Sequence, residues 1–196
     1  MVMTVQFAVQ LARFGAKDWV GDVIGVSLAR ELGPVLTALM VGGRVGAGIA
    51  AELGSMAVTE QLDAVRALGA DPVKRLVVPR VIATVLILPL LSTIAVVLGI
   101  LGGAFIASID VGVPMLNFYH ASLRSMTMGD FLSGVAKTVF FAFNIAIVAC
   151  ERGMSARGGT VGVGRVTTQT VVITSTVTLI SDFFLTKLII GLIELR

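Results

Sequence analysis

Long apolar stretches alternate with short polar ones along the chain, and this alternation is the main structural signal in the sequence. Four apolar segments cover residues 20–51, 81–109, 131–150 and 166–193. Each has the roughly 20 residues that an α-helix needs to cross a bilayer. A membrane-spanning β-barrel would instead show segments of about ten residues with alternating polarity. The pattern therefore predicts an all-α, polytopic membrane protein with four complete transmembrane helices.

The first 19 residues contain a shorter apolar run, MVMTVQFAVQLA, which is too short to span a bilayer alone. This run lacks the basic start and the small-residue cleavage site of a signal peptide. We therefore expect residues 1–19 to be the remnant of a preceding membrane segment.

The composition agrees with this reading of the pattern. Hydrophobic residues make up 56% of the 196 residues and charged residues 14%, and the mean hydropathy is +0.99. A soluble domain has about 25% charged residues. The single cysteine excludes a disulfide framework and a multi-cysteine metal site. The net charge of +3 comes without a basic stripe, so we expect no nucleic-acid binding.

The basic residues of the loops predict how the helices are oriented. The loop 52–80 carries four basic residues and the loop 151–165 carries three, whereas the loop 110–130 carries only Arg124. Loops rich in lysine and arginine remain in the cytoplasm. The first two loops are therefore predicted to be cytoplasmic. The third is predicted to lie outside, where it could form a short interfacial helix.

The polar stretch 54–76, GSMAVTEQLDAVRALGADPVKRL, predicts a short capped helix on the cytoplasmic side. Thr59 is expected to be its N-cap and Gly69 its C′ residue, with Asp71 and Pro72 starting the next helix. Leu62, Val65 and Leu68 form an apolar stripe. The polar face is formed by Glu60, Gln61, Asp63 and Arg66.

The chemistry alone leaves two interpretations of this helix open: a helix lying on the bilayer, or a helix docking into a groove of a cytoplasmic partner. The acidic residues mildly favour the second.

Several motifs around this helix resemble those of the MlaE/YrbE family of ABC-transporter permeases. They are RELGPV, GRVGAGIAAELG, TEQLDA, DPV and LVVPR, followed by the weaker matches GRVTTQTVV and SDFFLTKLI. The resemblance covers nearly the whole chain. Family members have a further N-terminal membrane helix, which agrees with the interpretation of residues 1–19 as a remnant.

The resemblance implies a function and a set of partners. It implies a permease subunit in the bacterial inner membrane, which moves phospholipid or related lipids between the inner and outer membranes. The partners would be cytoplasmic ABC ATPase subunits, a periplasmic MCE-domain protein and a second permease copy. The segment matching 59–69 is the family's coupling helix, which seats in the ATPase. ATP and Mg²⁺ would be bound by that ATPase, so the chain itself needs no cofactor.

Charged residues within the apolar segments are candidates for a lipid site. Such residues cost about 2.5–3.5 kcal/mol at mid-bilayer on insertion scales and therefore tend to be paired or hydrated. Two interpretations are compatible: structural ion pairing, and a polar patch in a lipid cavity that contacts phosphate headgroups. The candidate cavity residues are Arg30, Glu31, Lys137 and Asp182. We hypothesise that Glu31 and Lys137 approach each other.

Three other functions can be compared with a lipid permease. Intramembrane charges also permit an ion-gradient-driven secondary transporter, although no repeat of broken helices is visible. A passive membrane scaffold for an MCE-domain protein would tolerate substitution of Glu60 and Asp63. An intramembrane enzyme would need nucleophilic, acidic-dyad or metal-ligand spacing, which the sequence lacks. We therefore assign no catalytic residue and no metal ligand.

Overall fold

The computed structural model of the protein describes residues 2–110 and 112–194, with side chains through Gly191. Met1, which belongs to the predicted N-terminal remnant, lies outside the described residues. The described part is helical, without a strand, which confirms the predicted all-α class. Within the described residues, four helices are long and apolar enough to cross a membrane: Lys17–Val58, Val73–Asp110, Met128–Met154 and Gly159–Gly191. Each contains or largely overlaps one of the predicted apolar segments.

The first span is built from several consecutive helical pieces. A 3₁₀ turn at Lys17–Trp19 leads into α2 (Val20–Ser27), α3 (Gly33–Val41) and α4 (Ala47–Val58). Between these pieces lie two π-helical segments, Leu28–Leu32 and Gly42–Gly46. Such segments are rare and often mark functional sites.

The remaining helices complete the four spans and their connections. Helix α1 (Val2–Arg13) precedes the first span, and α5 (Gln61–Ala67) follows it. A third π-helical segment, Val73–Val77, continues into α6 (Val78–Asp110). Helix α7 (Met115–Ser125) is the short helix predicted for the loop 110–130. Helices α8 (Met128–Met154) and α9 (Gly159–Glu194) form the last two spans.

The chain divides into two compact units, each with its own packing. Unit 1 comprises residues 1–34 and 90–136, and unit 2 comprises residues 35–89 and 137–196. In unit 1, α7 packs against α2 at two glycines. A Cβ atom on Gly21 would lie 2.7 Å from the Phe118 carbonyl oxygen, and one on Gly25 would lie 2.9 Å from Ser122 Cα. Ser122 Oγ also donates a hydrogen bond to the Gly21 carbonyl over 2.9 Å. Only glycine permits this close approach of the two backbones.

In unit 2, α4 and the π-helical segment Gly42–Gly46 pack against α9. A Cβ atom on Gly42 would lie 3.1 Å from Thr174 Oγ1. The buried hydroxyls of Thr170 and Thr174 donate to the carbonyls four residues earlier, Val166 and Thr170, each over 2.8 Å. Their polar atoms are therefore satisfied within α9, so that the threonine methyl groups can serve as packing surface.

Candidate functional site

The short helix α5 begins one residue later than predicted. Helix α4 extends to Val58, and Thr59 Oγ1 donates to the Ser55 carbonyl over 2.8 Å. Thr59 therefore ends α4 and is not the N-cap of α5, so that prediction is wrong. Glu60 occupies the N-cap position with φ 61° and ψ 13°, which is left-handed and uncommon for a residue with a Cβ atom. The sharp turn between two successive helices requires this conformation.

The end of α5 is fixed as predicted. Gly69 has φ +77° and donates its backbone N–H to the Arg66 carbonyl over 2.9 Å. The next N–H, of Ala70, donates to the Val65 carbonyl over 3.2 Å. These two bonds form a Schellman motif, with glycine at the C′ position. Asp71 Oδ1 then accepts from the Val73 N–H over 2.9 Å, which confirms Asp71 as the cap of the next helix.

The predicted apolar stripe of α5 is only partly covered. Leu62 is buried and Val65 is half-buried, whereas Leu68 is 85% exposed. On the polar face, Arg66 Nη1 donates to Asp63 Oδ1 over 2.8 Å. Leu62 thus anchors α5 to unit 2, and Leu68 presents an apolar side chain to the surroundings. All eight predicted coupling residues lie in α5 or next to it: Thr59, Glu60, Gln61, Leu62, Asp63, Val65, Arg66 and Leu68.

An ion pair that the sequence analysis did not identify joins the helices on either side of α5. Arg80 Nη2 in α6 donates to Glu52 Oε2 in α4 over 3.0 Å, and Arg80 Nη1 donates to the Leu76 carbonyl over 3.2 Å. Both residues lie in quoted motifs, Glu52 in GRVGAGIAAELG and Arg80 in LVVPR. Their pairing across 28 residues could not be read from spacing.

Arg30 pairs with Asp130, which the sequence analysis also missed. Both Arg30 Nε and Nη2 contact Asp130 Oδ1. The Arg30 side chain is 40% exposed, whereas that of Asp130 is 4% exposed. The second oxygen, Oδ2, accepts from the Thr127 N–H over 2.9 Å and from Thr127 Oγ1 over 2.8 Å. The Asp130 carboxylate therefore has two roles. It caps the first turn of α8, and it positions the Arg30 guanidinium.

A capping box was the available signal for Asp130. The Asp130 backbone N–H donates to Thr127 Oγ1 over 3.3 Å, while the Asp130 carboxylate accepts from the Thr127 N–H. This reciprocal arrangement is the capping box, with aspartate in the place of the usual glutamate or glutamine. The sequence Thr-x-x-Asp before an apolar run indicates it.

Two of the four predicted cavity residues pair with each other in unit 2. Lys137 Nζ donates to Asp182 Oδ1 over 3.0 Å and to Thr186 Oγ1 over 2.7 Å. The Lys137 side chain is only 2% exposed. Thr186 lies one turn beyond Asp182 on α9, so both acceptors face the same ammonium group. The predicted approach of Glu31 and Lys137 stays a prediction.

Three charged residues of the first span lie in its π-helical segments. Arg30 and Glu31 both belong to Leu28–Leu32, where Glu31 is half-buried. Arg44 belongs to Gly42–Gly46 and is exposed. The two segments thus carry three of the charged residues of this span, at positions that a uniform α-helix would present differently.

Comparisons with known proteins agree with the motifs. The family described as Permease MlaE matches residues 1–188. A probable ABC transporter permease protein of Rickettsia typhi is 40% identical over 188 residues, which are 96% of this chain and 73% of the relative. One of Synechocystis is 42% identical over 188 residues, 96% of this chain and 72% of the relative.

A plant protein is also similar. The chloroplastic protein TRIGALACTOSYLDIACYLGLYCEROL 1 of Arabidopsis thaliana is 37% identical over 187 residues, which are 95% of this chain and 53% of that protein. With the family match, these similarities confirm the resemblance that the motifs indicate. The four apolar helices and this membership describe a multi-pass membrane protein. The chain therefore belongs to the MlaE family of ABC-transporter permeases.

Proposed function

We propose that this chain is the permease subunit of an ABC transporter that moves phospholipid or a related lipid between the inner and outer membranes of a bacterium. The names of the bacterial relatives support the ABC permease class. The name of the Arabidopsis relative contains that of a glycolipid, which supports a lipid as cargo. The location that follows is the bacterial inner membrane.

The observation that carries this proposal is the geometry of α5. The C-terminal end of the helix is fixed, since Gly69 closes it and Asp71 caps the next helix. It presents the exposed Leu68 beside the Asp63–Arg66 pair. A rigid amphipathic helix of this size suits a groove on a partner protein. In this proposal, a cytoplasmic ABC ATPase provides the groove and binds ATP and Mg²⁺, because the sequence has no GKS or GKT phosphate-loop motif.

The ion pair between Glu52 and Arg80 supports transmission of movement from that groove. It ties α4 to α6 at the two ends of the segment that contains α5. A displacement of α5 therefore acts on two spans together. The proposed result is the opening and closing of a lipid cavity, with headgroups contacting Arg30, Glu31, Lys137 and Asp182.

The buried position of Lys137 sets a condition on this cavity. The Lys137 ammonium group is held by Asp182 and Thr186, so a phosphate would reach it only by displacing one of them. Arg30 is more accessible, because its side chain is 40% exposed. We propose that Arg30 contacts the headgroup first and that the Lys137–Asp182 pair opens in a later state.

A second permease copy and a periplasmic MCE-domain protein complete the proposed assembly. The surface of α9 supports contact with a second copy, because only 11% of the most apolar 18-residue stretch of that span is buried within the chain. The large exposed side chains on this helix include Phe183 and Phe184.

Reconstitution tests the proposal. The chain is incorporated into liposomes with its ATPase and MCE-domain partners, and transfer of a fluorescent phosphatidylethanolamine to acceptor vesicles is measured with and without ATP. We expect transfer to require ATP, and Leu68→Asp to abolish both transfer and co-purification of the ATPase. Phe14→Asp is the matched control, because Phe14 is 84% exposed and lies on the predicted outer side.

The alternatives have distinct outcomes in this assay. Transfer driven by an ion gradient in the absence of ATP would identify a secondary transporter. Two results together would identify a scaffold. The unmodified chain would transfer no lipid, and the Leu68→Asp variant would still assemble with the MCE-domain protein. Either result contradicts the proposed function.

A further inference from the structure

Unit 1 contains a polar cavity between the start of the first span and α7. The cavity measures about 350 Å³, and a neighbouring one of about 610 Å³ shares part of its lining. Their polar lining comes from Asp18, Asp22, Asn117, His120, Arg124 and Ser125. A volume of this size lies in the range of small-molecule sites.

The charged groups of this cavity are available to a ligand. Asp18, Asp22 and Arg124 line both cavities. Within residues 2–110 and 112–194, none of these three side chains forms a hydrogen bond or an ion pair. Two carboxylates and one guanidinium thus face the same space without neutralising one another directly. A ligand that carries both a cation and an anion would satisfy all three groups.

The position of the backbone around the cavity is fixed. Ser125 Oγ donates to the Asp22 carbonyl over 3.2 Å, and Ser122 Oγ donates to the Gly21 carbonyl over 2.9 Å. Phe118 is buried in the same contact. Asp22 and Arg124 are therefore held by the packed helices α2 and α7, and Asp18 lies in the 3₁₀ turn just before α2, so that the cavity is preorganised.

Apolar side chains flank the cavity and face outward. Trp19 and Leu116 are mostly exposed, and Tyr119 is partly exposed. Tryptophan and tyrosine are enriched at the membrane–water interface, where one side of the ring meets lipid and the other meets water. Helix α7, with Phe118 turned inward and Leu116 outward, has the pattern of an interfacial helix. These features are typical of the interface where lipid headgroups are found.

We propose that this cavity binds the zwitterionic headgroup of a membrane phospholipid, with an ethanolamine ammonium group beside Asp18 and Asp22 and the phosphate at Arg124. Arginine matches the geometry of phosphate oxygens. A primary ammonium group donates hydrogen bonds to carboxylates, whereas a choline group has no N–H to donate. The acyl chains lie along Trp19 and Leu116. This inference does not depend on what the permease transports, because it concerns a binding site in unit 1 alone.

Lipid titration of the purified chain followed by native mass spectrometry tests the site. We expect phosphatidylethanolamine to bind more tightly than phosphatidylcholine or phosphatidylglycerol. Arg124→Gln is expected to weaken binding of phosphatidylethanolamine about tenfold, the effect of losing one charge-assisted hydrogen bond. Arg13→Gln removes the same charge from the end of α1 and should leave binding unchanged.

A second variant separates recognition of the ammonium group from folding. The double substitution Asp18→Asn and Asp22→Asn should remove the preference for phosphatidylethanolamine over phosphatidylglycerol while retaining binding through Arg124. Thermal unfolding monitors the structural integrity of each variant.

Three results would overturn the proposal. The first is unchanged binding of phosphatidylethanolamine in both the Arg124 variant and the double variant, which would favour a protein partner for this surface. The second is tighter binding of phosphatidylglycerol by the unmodified chain. The third is displacement of the lipid by equimolar phosphoethanolamine, which would identify a soluble ligand, because the acyl chains would then contribute nothing.

Discussion

Arg80 Nη2 donates to Glu52 Oε2 over 3.0 Å and thereby joins α6 to α4, the helices that follow and precede α5. The two side chains differ in exposure, with Arg80 mostly buried and Glu52 mostly exposed. An ion pair of this kind contributes no more than about 1 kcal/mol to stability. We therefore infer that its main effect is on the relative movement of α4 and α6 rather than on folding.

Glu52→Gln is expected to reduce the stimulation of ATPase activity by lipid while leaving ATPase binding intact. The midpoint of thermal unfolding should change little, because the pair is partly exposed. Glu151→Gln is a suitable control, since Glu151 also forms a peripheral ion pair, with Arg152 over 3.1 Å. Restored stimulation in the charge-exchanged variant Glu52→Arg with Arg80→Glu would support the interpretation. Equal losses from Glu52→Gln and Glu151→Gln would contradict it.

Asp130→Ala should destabilise the protein more than Asp130→Asn. The alanine variant loses both the capping box of α8 and the partner of Arg30, and the cap alone is worth about 1 kcal/mol. Asparagine can still accept from the Thr127 N–H, so mainly the charge is lost. Thermal unfolding in detergent measures the difference. If both variants unfold at the same temperature, the carboxylate does not have the dual role assigned to it.

Lys137→Met should be strongly destabilising, whereas Lys137→Met combined with Asp182→Leu should recover most of the loss. Removal of the ammonium group alone leaves a largely buried carboxylate unpaired, at a cost of about 3–5 kcal/mol. Replacing both partners with apolar residues removes that cost. A double-mutant cycle by thermal unfolding provides the coupling energy.

Lipid transfer by the same double variant then separates structure from function. If the pair serves only packing, the double variant transports at the unmodified rate. If the pair opens during transport, the double variant folds but does not transfer lipid. The second outcome is the one that the proposed function expects.

Glu60→Gly should stabilise the turn before α5. Glu60 has φ 61°, and a left-handed conformation costs a residue with a Cβ atom roughly 1–2 kcal/mol. Glu60→Gln keeps the Cβ atom and removes only the charge, so it isolates electrostatic contact with the ATPase. Thermal unfolding and ATPase co-purification are measured for both. A loss of stability in the glycine variant would show that the glutamate side chain has a structural contact that outweighs the backbone cost.

Gly25→Ala should separate α7 from α2 and destabilise unit 1. The added Cβ would lie 2.9 Å from Ser122 Cα, so the backbones must move apart, and overpacking of this kind costs about 1–3 kcal/mol. Gly48→Ala is the control, because nothing lies within 4 Å of its Cβ position and alanine favours a helix. We expect Gly25→Ala to lower the unfolding temperature and Gly48→Ala to raise it. A shift in the same direction would contradict the close packing described for α7.

The helices and several of their ends could be predicted from the sequence because these features are local. Apolar length alone indicates the four spans, and the conformational freedom of Gly69 places the end of α5. The N-cap assignment failed at Thr59 because threonine is accommodated at both ends of a helix. Its hydroxyl accepts from N–H groups at an N-terminus, and it donates to a carbonyl here.

The pairing of charges could be predicted less well. Sequence position gives the depth of a residue along a helix, but not the direction in which its side chain points around the helix axis. The contacts of Lys137 with Asp182 and Thr186 therefore do not follow from position along the chain, and the approach of Glu31 and Lys137 stays a prediction. The Asp130 capping box was a readable signal, whereas the pair of Glu52 and Arg80 depends on tertiary packing alone.

The π-helical segments change which residues lie on the same face of the first span. In unit 2, the exposed residues of this span include a series at every fourth position: Leu36, Met40, Arg44, Gly48 and Glu52. In an unbroken α-helix, four such steps would rotate by about 160° around the axis. The wider turn at Gly42–Gly46 offsets part of that rotation, because each residue of a π-helix turns the chain by less than the roughly 100° of an α-helix. Deleting one residue there would close the wide turn into an α-helical one, and the side chains beyond it would keep nearly their present directions, because five residues of a π-helix turn the chain about as far as four residues of an α-helix.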